Sequence, residues 1–190
     1  MSTQEIRQTL FAQFAVVADA LAHSSRLALL ELLAQGERDV ETLSGLLGLS
    51  VASTSQHLQR LKHAGLVSVQ HNGRRRIYRL TSDEVSALVL NIGRVAEASL
   101  ASVEKIVNQQ LRAQDELPPV NVDELAALSA RRAVVILDVR PAEEYAAAHL
   151  PGAVNIPLDA LRREISRLPQ DREIVVYCRG PYCLLALDAM

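Results

Sequence analysis

Residues 50–80 read SVASTSQHLQRLKHAGLVSVQHNGRRRIYRL, and this stretch decides the fold of the first half of the chain. Ser50 is suited to cap a helix, and the helical pattern that follows it ends at Gly65. Two short strand patterns then flank Asn72 and Gly73, a dipeptide that is a strong signal for a tight β-hairpin. The stretch therefore predicts a helix followed by a two-stranded hairpin.

Three further helices are predicted before this stretch. Apolar residues recur at helical spacing over residues 4–22 and again over 25–34, where Ser24 or Ser25 is the expected N-cap. A short helix over 40–47 stops at Gly48. A short helix, a glycine turn and a second helix are typical of a helix-turn-helix, and the hairpin after it would be a wing.

Polar groups lie on the face of the helix over 50–64 that is opposite to its apolar residues. Hydroxyl, amide, imidazole and guanidinium groups are the types that contact base edges and phosphates in a major groove. Three consecutive arginines in the hairpin would follow the DNA backbone. The predicted DNA-contacting residues are Ser53, Thr54, Ser55, Gln56, His57 and Arg60 in the helix, and Arg74, Arg75, Arg76 and Tyr78 in the hairpin.

The distribution of charge supports a polyanion partner. The net charge is −2, yet the first 112 residues hold 12 Lys and Arg against 10 Asp and Glu, and no acidic residue lies between Glu41 and Asp83. A solvated basic face explains the charge alone equally well. The sequence shows no signal-peptide pattern and no apolar stretch of about 18 residues, which predicts a cytoplasmic protein with no membrane partner.

Residues 26–80 resemble the winged helix of ArsR-type bacterial repressors, on the strength of residues 55–61, 64–67 and 73–80. The resemblance implies a homodimer on a palindromic operator, with the helix near the bases and the wing on the backbone. Metal-sensing members of that family carry cysteines or histidines that residues 39–47 and 83–111 of this chain lack. We therefore predict neither a metal site nor a cofactor.

Residues 83–111 predict one long helix whose apolar surface is too broad for one small domain to cover. Together with the N-terminal helix it is the expected homodimer interface. The alternative is an internal core helix.

The second half of the chain begins after a change of composition at residues 113–119, which we assign as a linker between domains 1–112 and 120–190. Helices are predicted over 122–128, 141–148 and 158–167, and strands over 133–137, 154–156 and 174–177. This alternation predicts a parallel α/β sheet. The fold class is therefore α plus α/β, a winged helix-turn-helix followed by a parallel α/β domain.

Both cysteines of the chain, Cys178 and Cys183, bracket one loop after the last predicted strand. Backbone amides of such a loop, at the start of a helix, favour a thiolate. Residues 137–140, 143–145 and 149–157 resemble the amino-terminal signature of the rhodanese homology domain, and Cys178 falls where that family keeps its catalytic cysteine. The resemblance implies a Cys178 persulfide, with Arg179 adding positive charge.

Cys183 either acts as a resolving thiol or fills space, and the sequence favours neither. Only seven residues follow it, fewer than the rhodanese pattern has, so the domain is expected to be C-terminally incomplete. The predicted catalytic residues are Cys178, Cys183 and Arg179.

The leading hypothesis is a DNA-binding regulator, acting as a repressor, that senses or transfers sulfane sulfur through Cys178 and therefore needs a sulfane-sulfur donor. One alternative is a sulfurtransferase with an accessory DNA-binding domain. The other is an arsenite or metal sensor that uses Cys178 and Cys183.

Overall fold

The structure is a computed structural model that describes residues 1–112, 124–125, 127–128 and 134–189. The chain divides into two compact units, Met1–Arg94 and Val95–Met190. The predicted linker at 113–119 lies outside the described residues. Among the helices that are described, none is both long and apolar enough to cross a bilayer.

The N-terminal part combines helices with a small antiparallel sheet in which β3 (Arg75–Leu80) lies between β1 (Arg38–Asp39) and β2 (Val67–Asn72). From the start of the chain its elements are α1 (Thr3–Leu21), α2 (Ser24–Ala34), β1 (Arg38–Asp39), α3 (Val40–Leu47), α4 (Val51–His63), β2 (Val67–Asn72), β3 (Arg75–Leu80) and α5 (Asp83–Ser99). A helix-turn-helix formed by α3 and α4, followed by a β2–β3 wing, confirms the predicted winged helix.

Side chains at the helix ends satisfy the backbone groups that a helix leaves unpaired. Ser50 caps α4 by accepting a hydrogen bond from the N–H of Ser53 at 3.1 Å, as predicted. At α2 the cap is neither Ser24 nor Ser25: the Nδ1 of His23 accepts from the N–H of Ser25 at 3.1 Å. An imidazole can do what a serine does here because its unprotonated nitrogen is an acceptor.

The wing hairpin is longer than the sequence pattern indicates. Asn72 pairs with Arg75, so the connecting turn consists of only Gly73 and Arg74. Gly73 has a φ of 59°, a conformation that glycine adopts without a steric penalty. Strand β1 was not predicted: it has two residues, and it pairs with Ile77 and Tyr78 of β3.

The core of this unit is built mainly from leucine. Leu29, Leu30, Leu43, Leu58 and Leu61 are fully buried, and burial of each side chain contributes about 1.5–3 kcal/mol. The α4 leucines are four and seven residues beyond a buried Thr54, and this stripe fixes which face of α4 turns inward.

Two arginines are also buried in this unit, and both close the C-terminal end of a helix. Arg26 donates to the carbonyl oxygens of Asp19 (2.9 Å) and Ala20 at the end of α1. Arg38 donates to the carbonyl oxygens of Leu32 and Gly36 at the end of α2. Both guanidinium groups thereby bind carbonyl oxygens at a helix end, and for Asp19 and Leu32 they add to a backbone N–H that already bonds the same oxygen.

The prediction of a single long helix over residues 83–111 is wrong. Helix α5 ends at Ser99, and Leu100 has extended backbone angles (φ −116°, ψ 106°) before α6 (Ala101–Ile106) and a π-helical segment (Val107–Arg112). Leu100 accepts hydrogen bonds from the N–H groups of Val103 and Glu104, so it serves as the start of the next helix. Neither proline nor glycine marks the break, and periodicity alone therefore does not reveal it.

The C-terminal unit contains a parallel sheet in which β4 (Val134–Asp138) lies between β5 (Val154–Asn155) and β6 (Glu173–Tyr177), which confirms the predicted α/β class. All five residues of the central strand β4 are buried, as expected when helices cover a parallel sheet. Of the helix predicted over 122–128, the four described residues are helical. The elements from β4 onward are β4 (Val134–Asp138), α7 (Ala142–Ala147), β5 (Val154–Asn155), α8 (Leu158–Glu164) with a 3-10 turn (Ile165–Arg167), β6 (Glu173–Tyr177) and α9 (Leu185–Asp188).

Candidate functional site

Helix α4 presents most of the predicted DNA-contacting side chains on its outer face. Gln56 and Arg60 are exposed, and Ser53, Ser55 and His57 are partly exposed. An open groove along this face is lined by Ala52, Ser55, Gln56, Gln59, Arg60 and His63. The structure therefore brings these polar groups together on one accessible surface.

Thr54 and Tyr78 are removed from the predicted DNA-contacting set, because both side chains are 0% exposed. Thr54 lies on the inner stripe of α4, and the hydroxyl of Tyr78 accepts a hydrogen bond from Nε2 of Gln59 at 3.3 Å. For Thr54 the sequence held the necessary signal, since the residue is four positions before Leu58 on the same helical face.

His57 packs against His23, with 4.4 Å between the two ring centroids. Burial lowers the pKa of His57, and the nearby His23 and Arg26 lower it further. A lowered pKa keeps the ring neutral at pH 7, so His57 would face DNA as an uncharged donor or acceptor.

The wing carries exposed positive charge. Arg74, Arg75 and Arg76 are all exposed, and Nε of Arg75 lies 3.8 Å from a carboxylate oxygen of Asp39. The Arg75 side chain is 76% exposed and the Asp39 side chain 12% exposed, so the arginine end of this long contact stays open to solvent.

The cysteine loop leaves the C-terminal end of β6, where ligand sites of parallel sheets are expected. Both thiols are free and partly buried. Sγ of Cys178 lies 3.6 Å from the carbonyl oxygen of Cys183, and the N–H of Cys183 donates to the carbonyl oxygen of Gly180 at 3.1 Å. The loop thus folds both sulfur atoms into one small site.

The two thiols share one proton unequally. A hydrogen bond from Cys178, the backbone N–H groups of Arg179 and Leu185, and the charge of Arg179 outweigh burial and lower the pKa of Cys183 to about 6. The pKa of Cys178 is raised by its hydrogen bond to Cys183, by burial and by the negative charge that Cys183 carries. The pair therefore titrates as a unit, in which the hydrogen bond that Cys178 donates favours the negative charge on Cys183.

The guanidinium group of Arg179 pairs with the carboxylate of Glu144. Its Nη2 lies 2.8 Å from Oε1 of Glu144 and its Nε lies 3.0 Å from Oε2, a two-pronged ion pair. The carboxylate of Glu144 on α7 is 1% exposed and the Arg179 side chain is 17% exposed. Arg179 therefore anchors the loop to α7 while it adds positive charge near Cys183.

A buried network that the sequence did not predict as functional holds the residue before Cys178. The hydroxyl of Tyr177 donates to Asp138 at 2.5 Å and accepts from the N–H of Leu150 at 3.1 Å. Arg140 donates to the same carboxylate at 2.7 Å. Burial raises the pKa of Asp138, but the hydrogen bonds from Arg140 and Tyr177 outweigh it and leave the pKa lowered. An ionised Asp138 thus fixes the end of β6.

Within the described residues, no group of three or more His, Cys, Asp or Glu side chains is arranged to hold a metal ion. The soft metal ligands of the described site are the two thiols, Cys178 and Cys183.

Two segments of the chain match known families. Residues 23–69 match the family described as bacterial regulatory protein, arsR family, and residues 121–190 match the rhodanese-like domain. The chain is 40% identical over 184 residues to the HTH-type transcriptional regulator Rv0324 of Mycobacterium tuberculosis, a match that covers 97% of this chain and 80% of that one.

Two further similarities cover shorter stretches. A sulfurtransferase of Allochromatium vinosum is 34% identical over 65 residues, which are 32% of this chain and 61% of that protein. Among solved structures, the homodimeric winged helix-turn-helix DNA-binding domain Mb0332 from Mycobacterium bovis is 37% identical, covers 54% of this chain and 93% of its own, and has a TM-score of 0.48.

Proposed function

The chain belongs to the arsR family of bacterial regulatory proteins and carries a rhodanese-like domain, and from this premise we propose that it is a repressor released from DNA by sulfane sulfur. The observation that carries the proposal is the pair of thiols in one loop, one of them acidic, on the same chain as a winged helix. Such a regulator would act in the cytoplasm, where its operator lies.

The DNA-binding half of the proposal rests on the outer face of α4 and on the wing. Gln56 and Arg60 are exposed groups of the kind that read bases and hold phosphates in a major groove. Arg74 and Arg76 add positive charge at the tip of the hairpin, which suits the sugar-phosphate backbone.

A second copy of the chain is proposed to cover the apolar face of α1. Four large side chains there are 46–60% exposed, a patch that a lone small domain rarely leaves open. Two copies would present two α4 helices to a palindromic operator. The exposed side chains are Ile6, Leu10, Phe11 and Phe14.

The sulfur chemistry needs no outside oxidant. A thiolate of Cys178, formed when the shared proton moves to Cys183, attacks the outer sulfur of a hydropersulfide R–S–SH. That S–S bond breaks, and the leaving thiolate takes the proton from Cys183, which restores the Cys183 thiolate. The Cys183 thiolate can then attack the Cys178 sulfur of the persulfide, forming a disulfide and releasing HS⁻. The low pKa of Cys183 supports this resolving role, because a thiolate is present at neutral pH.

The two covalent states differ from the free thiols in charge and in loop geometry, and either state can bias DNA affinity if the operator-bound form tolerates it less. Fluorescence anisotropy with a labelled operator, before and after treatment with a persulfide donor, measures this bias. We expect treated wild-type protein to bind more weakly and treated Cys178→Ser protein to bind as before. Equal loss of affinity in both proteins contradicts the proposal.

A sulfurtransferase is the second candidate, and the acidic thiol supports it too. Under that function the persulfide would pass to an acceptor repeatedly. Many turnovers in a thiosulfate and cyanide assay support the enzyme, and one sulfur per chain supports the sensor.

An arsenite or metal sensor that uses both thiols is the third candidate. Zinc or arsenite at a slight excess over protein should then protect Cys178 and Cys183 from alkylation. Full alkylation of both cysteines under those conditions removes this candidate.

A further inference from the structure

Glu144 is a buried carboxylate that reaches the sulfur atoms through one residue, Arg179. Its two oxygens hold the two nitrogens of the Arg179 guanidinium at 2.8 and 3.0 Å. A two-pronged pair between a planar guanidinium and a carboxylate fixes orientation as well as distance. Arg179 is therefore held against α7 with little freedom.

The same arginine touches the thiols through its backbone. Arg179 follows Cys178 directly, and its N–H donates to the sulfur of Cys183. The ion pair tethers the Arg179 side chain to α7 and so limits how far the Arg179 backbone, with this N–H, can shift. We infer that Glu144 is a positioning residue of the cysteine loop, which holds Arg179 in place and thereby keeps the Arg179 N–H aimed at the sulfur of Cys183. This inference deepens the proposed function and rests on it for its biological meaning.

Glu144 can change the pKa of the nearby thiol in two ways that have opposite signs, and this makes the inference testable. As a negative charge, Glu144 opposes a nearby thiolate, so removing the charge alone would lower the thiol pKa. As a positioning residue, Glu144 supports a hydrogen bond to the thiolate, so removing it would raise that pKa. The direction of the change identifies which effect dominates.

Other titratable groups near the loop must be kept constant in the comparison. Within the loop these are the thiol of Cys178 and the hydroxyl of Tyr182, which donates to Glu97 at 3.0 Å. At the end of β6 they are Tyr177 with its partners Asp138 and Arg140. None of these side chains changes in the variants below.

The experiment is the pH dependence of iodoacetamide alkylation of the full chain, with peptide mass spectrometry assigning the label to Cys178 or Cys183. Glu144→Gln keeps the shape but can accept only one of the two guanidinium bonds. Arg179→Lys keeps the positive charge but loses the two-pronged geometry. Glu143→Gln is the matched control, because Glu143 is the exposed neighbour on the same helix.

We expect both Glu144→Gln and Arg179→Lys to raise the apparent pKa of Cys183 by about one unit, which lowers its alkylation rate below pH 6 about tenfold. Glu143→Gln should match the wild type. A lower pKa in Glu144→Gln with no change in Arg179→Lys would show that charge, not position, is what Glu144 contributes, and would overturn the inference. An unchanged pKa in both would overturn it as well.

Burial makes Glu144→Gln the riskier variant to fold, and thermal unfolding checks this. If Glu144→Gln does not fold, the apparent pKa of Cys183 in Arg179→Lys decides between the two roles of Glu144. A purely electrostatic role predicts no change of that pKa in Arg179→Lys. The readout uses neither DNA nor a sulfur donor. A negative result here therefore leaves the repressor proposal standing, and a failed operator titration leaves the positioning role standing.

Discussion

Thr54 has a buried hydroxyl for which no hydrogen-bond partner is present among the described residues. An unsatisfied buried hydroxyl costs about 1–3 kcal/mol, whereas a methyl group of the same shape carries no such penalty. We therefore expect Thr54→Val to raise the free energy of unfolding by about 1 kcal/mol in a urea titration.

Thr54→Ser is the control for this residue, because it keeps the hydroxyl and removes a buried methyl group. It should lower the free energy of unfolding by about 0.8 kcal/mol. Operator affinity should be unchanged in Thr54→Val, and a marked loss of affinity without loss of stability would restore Thr54 as a DNA contact.

The low pKa of Cys183 predicts how the reactivity of the cysteine loop depends on pH. Its pKa of about 6 lies below that of a free thiol, so the thiolate is present at neutral pH and is lost as the pH falls through 6. Both steps draw on this one negative charge, because the Cys178 thiolate forms by proton transfer to the Cys183 thiolate. Uptake of sulfur from a donor, and with it disulfide formation, should therefore slow as the pH falls below about 6. Intact-mass measurements at pH 5.5 and 7.5 test this, and equal disulfide yields at both values contradict it.

The wing is the element whose contribution to binding can be measured separately from that of α4. Arg74→Ala or Arg76→Ala should weaken operator binding and reduce the slope of log K against log salt by about 0.9 for each phosphate that the variant no longer neutralises. Arg163→Ala on the exposed face of α8 removes the same charge elsewhere and is the control. An unchanged salt slope in the wing variants would remove the wing from the DNA interface.

Local sequence signals predicted most elements, because capping residues and turn glycines act on their own neighbours. Gly48 and Ser50 are examples, since each fixes a helix end at the expected place, whereas the hairpin turn at Gly73 and Arg74 lies one residue later than the Asn72-Gly73 pattern indicates. The His23 cap and the two-residue strand β1 were missed because tertiary contacts, not local propensity, create them. The break at Leu100 has no sequence signature that we recognise.

Local sequence signals likewise predicted some residues of the candidate site and missed those that depend on tertiary contacts. Position in the chain was enough to find Cys178 and Cys183, since a strand, a loop and a helix follow in order. The Arg179 partner could not be predicted, because Glu144 is 35 residues away and reaches the loop only through the fold. The hydrogen bond that Cys178 donates to Cys183, which separates the two thiols most, depends on loop geometry that a sequence does not contain.

At the scale of the whole molecule, the open apolar face of α1 predicts how the chain assembles. Phe14→Glu places a charge in the centre of that face, where Phe14 is 60% exposed in a single chain. We expect this variant to sediment as a monomer at concentrations where the wild type is a dimer, and to lose operator affinity. Gln8→Glu adds the same charge on another exposed side of α1 and should remain a dimer.

The central claim is that sulfur on the cysteine loop releases the protein from DNA, and the mass of the released protein tests it most directly. The operator complex is immobilised, a persulfide donor is added, and bound and released fractions are analysed by intact mass spectrometry with assignment to Cys178 and Cys183. The account predicts that released chains carry one added sulfur or have lost two hydrogens, and that bound chains are unmodified. Release of unmodified chains, or modified chains that stay bound, would contradict it.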